Sequence, residues 1–310
     1  MNLFLTRLRG AGPTPVVVAH RGDCSKAPEN TLLAAELGWD AGADAWEFDV
    51  HLSRDGVPLL IHDESLRRTT DVARAFRDDP RVSGGAHVSD FDFEEIQSLD
   101  AGSWFLQHSG AERTADRFGG DARINKHVRT RCLDGSVRMP SLAEALRFTA
   151  ERGWLANVEV KSYPNRSPQL LNAVIKVVGE AGIGSSVLIS SFDHRDVARA
   201  SRESAGIATG VLIDHPLASV ETYVADVVRA DCVHSSTWVL GSECDGYRRT
   251  PRPESLDRET IAALRLRDVL TLAYTVNDVR PDGLAVHLAA AGAAGLFTDD
   301  VRGMRALFPV

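Results

Sequence analysis

Apolar residues recur along this chain in two rhythms. Short continuous runs, of which Val16-Val17-Val18-Ala19-His20 is the first, have the character of strands buried on both faces. Longer stretches space their apolar residues three and four apart, as Leu32, Leu33 and Leu37 do before Gly42, and these predict helices; Asn30 is placed to cap that one. A second cap, Ser141, precedes Leu142, Ala145, Leu146 and Phe148. From there strands at 155–160, 187–191, 207–213, 232–235, 270–276 and 295–298 alternate with helices near 169–181, 195–204, 218–228, 257–266 and 281–291. Such alternation predicts a parallel sheet with crossover helices.

The run Trp46-Glu47-Phe48-Asp49-Val50 alternates with a period of two, which puts Glu47 and Asp49 on one face of a strand. Asp55-Gly56 offers the positive φ angles of a two-residue hairpin loop, and with that loop Asp49 stands directly opposite His62. A half-exposed surface hairpin would alternate too, but both carboxylates have apolar neighbours on either side. Counting 57–62 as a sheet strand gives nine, one more than a barrel holds; as the returning arm of a hairpin it leaves eight. The predicted fold is α/β: a TIM (β/α)8 barrel with a β-hairpin extension and a long insertion after the second barrel strand. Residues 1–310 form one domain, with the insertion at about 64–138. The insertion reads as irregular, broken by Gly84-Gly85 and Gly119-Gly120, with one short helix near 93–99. Its stretch 112–138, rich in Arg and Lys, is expected at the catalytic mouth as a partial lid that steers anionic substrates.

Charge narrows the function. With 43 acidic against 35 basic residues the net charge is −8, which excludes the broad basic footprint of a nucleic-acid binder. An anionic substrate must be held by local cations. Four cysteines without a C-x-x-C pair predict reduced thiols, with a Cys232–Cys244 pairing left open. The N-terminus lacks a continuous apolar core and no stretch approaches 18 apolar residues, so the chain reads as made without a signal peptide, cytoplasmic and without stable membrane insertion. Oligomeric state is left open.

In a barrel of this kind the site lies at the carboxyl ends of the strands. Standing there are His20 and Arg21, Glu47 and Asp49, Glu159 and Lys161, Ser191 and Phe192, Asp214, His234, Asn277, and Thr298 with Asp299. Glu47, Asp49 and Glu159 make an oxygen-only set suited to one divalent cation, Ca²⁺ or Mg²⁺; the other reading pairs each carboxylate with Arg or Lys. His20 and His62 reach one mouth from different strands, as a general acid and base must. Arg21 offers a planar fork and Lys161 a point charge, both matched to phosphate oxygens. A Schiff-base role for Lys161 is disfavoured, because neighbouring carboxylates raise its pKa. Pro28 and Asn30 read as a turn and a helix cap, and Phe192 equally as core packing or as a lid on substrate.

Taken in order, His20-Arg21-Gly22, Pro28-Glu29-Asn30-Thr31, Glu47-x-Asp49, Asp55-Gly56, His62-Asp63, Glu159-x-Lys161, Ser191-Phe192, Thr275-Val276-Asn277 and Thr298-Asp299 resemble the glycerophosphodiester phosphodiesterase family. The resemblance implies a TIM barrel that hydrolyses small-molecule glycerophosphodiesters to glycerol 3-phosphate and an alcohol. It implies a divalent metal on Glu47, Asp49 and Glu159, His20 and His62 as acid and base, and substrate contacts from Arg21, Lys161, Phe192 and Asn277. Two features depart from the family pattern: Tyr274 stands where a Trp is usual, and the insertion is long. Two alternatives accompany this reading. A related barrel phospholipase acting on intact lipid would need an apolar rim, which 106–138 does not supply. An inactive barrel that binds a phosphate ligand would not need both histidines and all three carboxylates.

Overall fold

The computed structural model describes residues 1–107, 124–162, 167–241 and 256–309. Nine strands share one sheet: β1 (Val16–His20), β2 (Ala45–Leu52), β3 (Pro58–Leu60), β4 (Leu155–Val160), β5 (Val187–Ser191), β6 (Ala208–Ile213), β7 (Cys232–Ser236), β8 (Leu270–Tyr274) and β9 (Gly295–Thr298). Their order is β1-β9-β8-β7-β6-β5-β4-β2, and a parallel β1–β2 pairing closes the ring into an eight-stranded barrel. The ninth strand, β3, is the antiparallel arm of a hairpin with β2.

The register of that hairpin corrects the one expected. Val50 pairs with Leu60 and Leu52 with Pro58, so Asp49 lies opposite Ile61, whose N–H donates to the Asp49 carbonyl at 3.0 Å. The loop has three residues, Arg54-Asp55-Gly56, closed by Ser53 and Val57. Only Gly56 takes a positive φ (84°), whereas a two-residue loop of the expected type needs two such residues. His62 therefore lies just past the end of the ladder.

Along each barrel strand the inward residues of the amino-terminal half are apolar. Val16, Val18, Ala45, Leu155, Leu188, Ala208, Leu272 and Phe297 pack into one cluster with Phe4, Leu5 and Leu8. Those last three belong to α1 (Leu3–Arg9), a helix of seven residues that periodicity did not flag. Asn2 caps it by accepting from the Leu5 N–H and donates from Nδ2 to the carbonyls of Val187 at 3.1 Å and Gly206 at 2.9 Å, pinning the helix beneath the barrel. The floor is thus plugged, and any site must open at the other end.

The insertion is more ordered than its composition suggests. Val72–Ala75, Pro80–Ser83, Phe93–Gln97, Ser103–Gln107 and Lys126–Leu133 are helical, each only one or two turns long and so too short to show a period. They bury Leu66, Phe91, Ile96, Trp104 and Val128 against Leu59 and Ile61 of the hairpin arm in a second core. Of the stretch expected to act as a lid, 112–138, the part 112–123 lies outside the described residues. The expected helix at 218–228 is a short α-helical turn followed by a π-helix, Tyr223–Val228, ended by Arg229 at φ 62°. Cys24, Cys132 and Cys232 are free thiols, and Cys244 lies outside the described residues. Among the described residues no helix is long and apolar enough to cross a membrane.

Candidate active site

The chemistry gathers where β1, β2 and β4 end. Parallel pairing sets His20 beside Glu47 and Asp49 beside Glu159, so one carboxylate from each of three inward positions meets its neighbours across the ladder. An oxygen from each of Glu47, Asp49 and Glu159 lies within 4.8 Å of the others. Glu47 and Asp49 are 2% and 1% exposed. Burial and the Asp49 charge push the Glu47 carboxyl above its ordinary range. Asp49 moves the other way: burial opposes its charge, but Lys161 and Arg21 outweigh it and hold the carboxyl well below the usual range.

Lys161 Nζ lies 2.9 Å from Asp49 Oδ1 and also bonds Glu159, and these partners raise its pKa despite burial. A lysine so placed is a fixed cation and not a Schiff-base nucleophile. Arg21 sits at φ 57°, which turns its backbone N–H onto Glu47 Oε2 at 3.0 Å. Its guanidinium meets Asp49 at 3.2 Å and Glu29 at 2.9 Å. Gly22 continues that turn at φ 82°, and a Cβ there would fall 2.5 Å from the carbonyl carbon of Ala34 in α2 (Leu32–Asp40). No other residue fits so close to the helix.

The three carboxylates converge. Of them Asp49 is paired with Arg21 and Lys161 and Glu159 with Lys161, while Glu47, among the described residues, accepts only the Arg21 backbone N–H and lies 4.0 Å from His20. Glu47 Oε1 is buried without a hydrogen-bond partner, and all three donors are hard oxygens, so the set suits a divalent cation.

The two histidines are built alike. His20 Nδ1 lies 2.6 Å from Asp299 Oδ1, and its Nε2 is 4.0 Å from Glu47. Burial and Arg21 disfavour the charged ring, but Asp299 and Glu47 prevail and raise its pKa. His62 Nδ1 lies 2.7 Å from Asp63 Oδ1. Here burial dominates and the pKa falls, although the Asp49 charge works against it. A carboxylate on each Nδ1 fixes the ring and leaves Nε2 as the nitrogen for proton exchange.

Asn277, expected to contact substrate, is bonded to Asp299. Its Nδ2 donates to Asp299 at 2.7 Å and its Oδ1 accepts the Asp299 N–H at 2.9 Å, so the amide holds the carboxylate behind His20. Asn30, at φ 58°, does not cap α2. It donates to Asp49 Oδ2 at 2.8 Å and accepts the Asp49 N–H at 3.1 Å, while the neighbouring Thr31 takes the cap. Phe192 is 44% exposed and meets Tyr274 edge-on at 6.2 Å. The tyrosine that replaces the expected tryptophan donates its hydroxyl to the Ile213 carbonyl at 3.0 Å. Three participants went unrecognised as such: Glu29 and Arg68, which bond one another, and His51, whose ring meets the His62 carbonyl at 3.1 Å. For His51 a signal existed, since it continues the alternation of Glu47 and Asp49.

Comparison with known proteins agrees with this geometry. A profile described as the glycerophosphoryl diester phosphodiesterase family matches residues 20–302. A glycerophosphodiester phosphodiesterase of Caldanaerobacter subterraneus subsp. tengcongensis is 27% identical over 285 residues, covering 92% of this chain and 94% of its own. A glycerophosphoinositol inositolphosphodiesterase of Mus musculus is 48% identical over 188 residues, 60% of this chain and 32% of its own. Among solved structures, an Oleispira antarctica phosphodiesterase in complex with the product sn-glycerol-3-phosphate superposes with a TM-score of 0.72 at 23% identity, covering 96% of this chain and 98% of its own. Since the profile spans nearly the whole chain, the chain belongs to the glycerophosphoryl diester phosphodiesterase family and is an enzyme that hydrolyses glycerophosphodiesters.

Proposed function

We propose that this chain hydrolyses glycerophosphodiesters to glycerol 3-phosphate and an alcohol, with one divalent cation, Ca²⁺ or Mg²⁺, on Glu47, Asp49 and Glu159, and with His20 and His62 as the acid and base pair. The observation that carries the reading is the paired design of the histidines, each backed by a carboxylate at 2.6–2.7 Å on Nδ1, beside a buried cluster of three acidic ligands. When bound, the cation would offset charge on the phosphoryl oxygens. Arg21 and Lys161 would draw the phosphate into the mouth and orient it. At Nε2 one histidine takes the proton of the nucleophile, water or the substrate's own glycerol hydroxyl, and at Nε2 of the other a proton passes to the leaving alkoxide; where the hydroxyl attacks, water then opens the cyclic phosphate to glycerol 3-phosphate. Asn277 acts through Asp299, and exposed Phe192 forms an aromatic wall over the glycerol.

A coupled assay tests this directly: glycerol 3-phosphate release from glycerophosphocholine, glycerophosphoethanolamine and glycerophosphoglycerol, with and without chelator. Release that stops on chelation and returns with Mg²⁺ or Ca²⁺ is expected. Full turnover in chelator would sink the metal role.

A second reading concerns which ester bond breaks. The mouse relative is named for inositolphosphodiesterase activity on glycerophosphoinositol, and its identity of 48% far exceeds that of the full-length bacterial relative. Glycerophosphoinositol belongs in the same assay, with both glycerol 3-phosphate and inositol phosphate measured.

A further inference from the structure

Asp299 and Asp63 stand in the same relation to their histidines but are held by different chemistry. Asp299 is fixed by neutral donors, the Asn277 amide and the Cys24 thiol at 3.0 Å. Asp63 is the more exposed of the two, with 31% of its side chain accessible against 15%, and it lies where the chain has left the sheet. Its anchor is Arg68, whose Nε lies 2.6 Å from Oδ2 and Nη2 3.0 Å from Oδ1. The far side of the same fork is bonded to Glu29, Nη1 and Nη2 each at 2.8 Å from one carboxylate oxygen. Glu29 in turn meets Arg21 at 2.9 Å. His62, Asp63, Arg68, Glu29 and Arg21 thus form one unbroken run of charge-assisted bonds.

We propose that Arg68 is a positioning residue for the reaction: it holds Asp63 on Nδ1 of His62 and, through Glu29, ties that imidazole to the arginine fork placed for the phosphate. The inference rests on the reading that His62 moves a proton. Only a guanidinium can serve both carboxylates bidentately, because its donors lie in one rigid plane; a lysine keeps the charge and loses the geometry. Without the fork, Asp63 sits on an irregular segment where, among the described residues, its side chain bonds only His62, and the ring loses its fixed direction. The charged groups that face His62 are Asp63, Asp49, Arg21 and Lys161, with the His51 ring on its carbonyl. Removing Arg68 deletes a positive charge behind Asp63, so His62 binds its proton more tightly.

The test compares Arg68→Gln, Arg68→Lys, Asp63→Asn and the double variant Arg68→Gln/Asp63→Asn in the full chain, on glycerophosphocholine with metal saturating. Arg68→Gln is expected to lower kcat about 10–100-fold with KM within about threefold. One limb of its pH–rate profile should move up by about half a unit or more, the sign of a lost cation. Arg68→Lys should fall between it and the parent. The double variant should be slower than Asp63→Asn alone by no more than about threefold, the share carried through Glu29, because the arginine acts chiefly through the Asp63 carboxylate. A folded Arg68→Gln with the parent's kcat and both limbs in place overturns the proposal, as does a double variant in which the two losses multiply. Should Arg68→Gln fail to fold, Arg68→Lys combined with Asp63→Asn makes the same comparison. His62→Ala separates the two possible failures: near-full turnover there would sink the acid and base reading, whereas an inactive His62→Ala beside an unimpaired Arg68→Gln sinks only the role of Arg68.

Discussion

The floor and the mouth of the barrel are made by the same strands and face the same interior, yet they answer opposite demands. On β1 the inward positions run Val16, Val18, His20; on β2, Ala45, Glu47, Asp49; on β4, Leu155, Asn157, Glu159. A period of two carries each strand from an apolar layer to a charged one in two steps. At the floor, burial removes apolar surface from water, worth roughly 25 cal/mol per Å². At the mouth it desolvates charges, which costs free energy unless each charge is paired. The floor therefore supplies stability that the mouth consumes, and Arg21, Lys161, Asn30 and Arg68 limit the cost.

The largest expected effects break the comparison at its two ends. His20→Ala and His62→Ala should each lower kcat on the order of 10²–10⁴-fold, the range for a positioned acid or base, while leaving the melting temperature nearly unchanged. A variant that retained near-full turnover would make that histidine part of the scaffold. Phe4→Ala should do the reverse. Phe4 is 0% exposed at the centre of the floor plug, so its loss leaves a cavity that costs about 3–5 kcal/mol in urea unfolding. Activity per folded molecule should stay as it was. If turnover fell with stability, the two ends would be mechanically coupled.

The third effect lies between floor and mouth. His234 is 0% exposed, neither ring nitrogen has a hydrogen-bond partner, and burial depresses its pKa to about 3. His51 follows at about 4, where burial outweighs the His62 carbonyl that it meets. A histidine kept neutral in the fold but free to protonate near 6.5 when unfolded contributes no loss above that pH. As pH falls below it the unfolded state gains the proton, and stability declines by roughly 1.4 kcal/mol per pH unit per group until the folded pKa is reached. The two carboxylates behind His20 and His62 respond later. Burial opposes the Asp63 charge, but bonds from Arg68 and His62 bring its carboxyl to about 2, and Asp299 is also lowered. Their contribution is present above about pH 4 and is lost only below it. Urea unfolding at several pH values should show two stages of acid loss. His234→Leu should make the first stage shallower, leaving the share that His51 supplies, and should not alter the second. An unaltered first stage would show that this histidine does not titrate as a buried neutral group.

This gradient was partly legible before the structure. The strands were readable because each is a continuous apolar run, and the three carboxylates because they interrupt such runs at their carboxyl ends. The hairpin register was misread by one residue, since Asp55-Gly56 satisfies two loop geometries and only the backbone decides between them. Arg68 and Glu29 were illegible for another reason. They lie 39 positions apart in irregular chain, and nothing local marks them as partners until the barrel brings them within 2.8 Å. The N-terminal helix and those of the insertion are too short to carry a period. Asn30 and Thr31 are both good caps, and the choice between them was made by Asp49, which offers Asn30 an acceptor and a donor together.

That last pair yields the smallest prediction and the finest cut between scaffold and site. Thr31 accepts the Ala34 N–H at 3.2 Å and donates to the Pro28 carbonyl at 2.7 Å, so it ends one element and fastens the turn that presents Glu29 and Asn30. By its cap alone, Thr31→Ala should cost about 1 kcal/mol of stability. If the turn is held sufficiently by its ends, through Asn30 on Asp49 and Glu29 on Arg21 and Arg68, kcat should change by less than about twofold. Thr31→Ser preserves both bonds and should restore the stability without altering turnover. A drop in kcat beyond about tenfold in Thr31→Ala, rescued by Thr31→Ser, would show that the ion pairs do not hold the turn unaided. The boundary between the structural and the chemical parts of the mouth would then lie one residue further into α2.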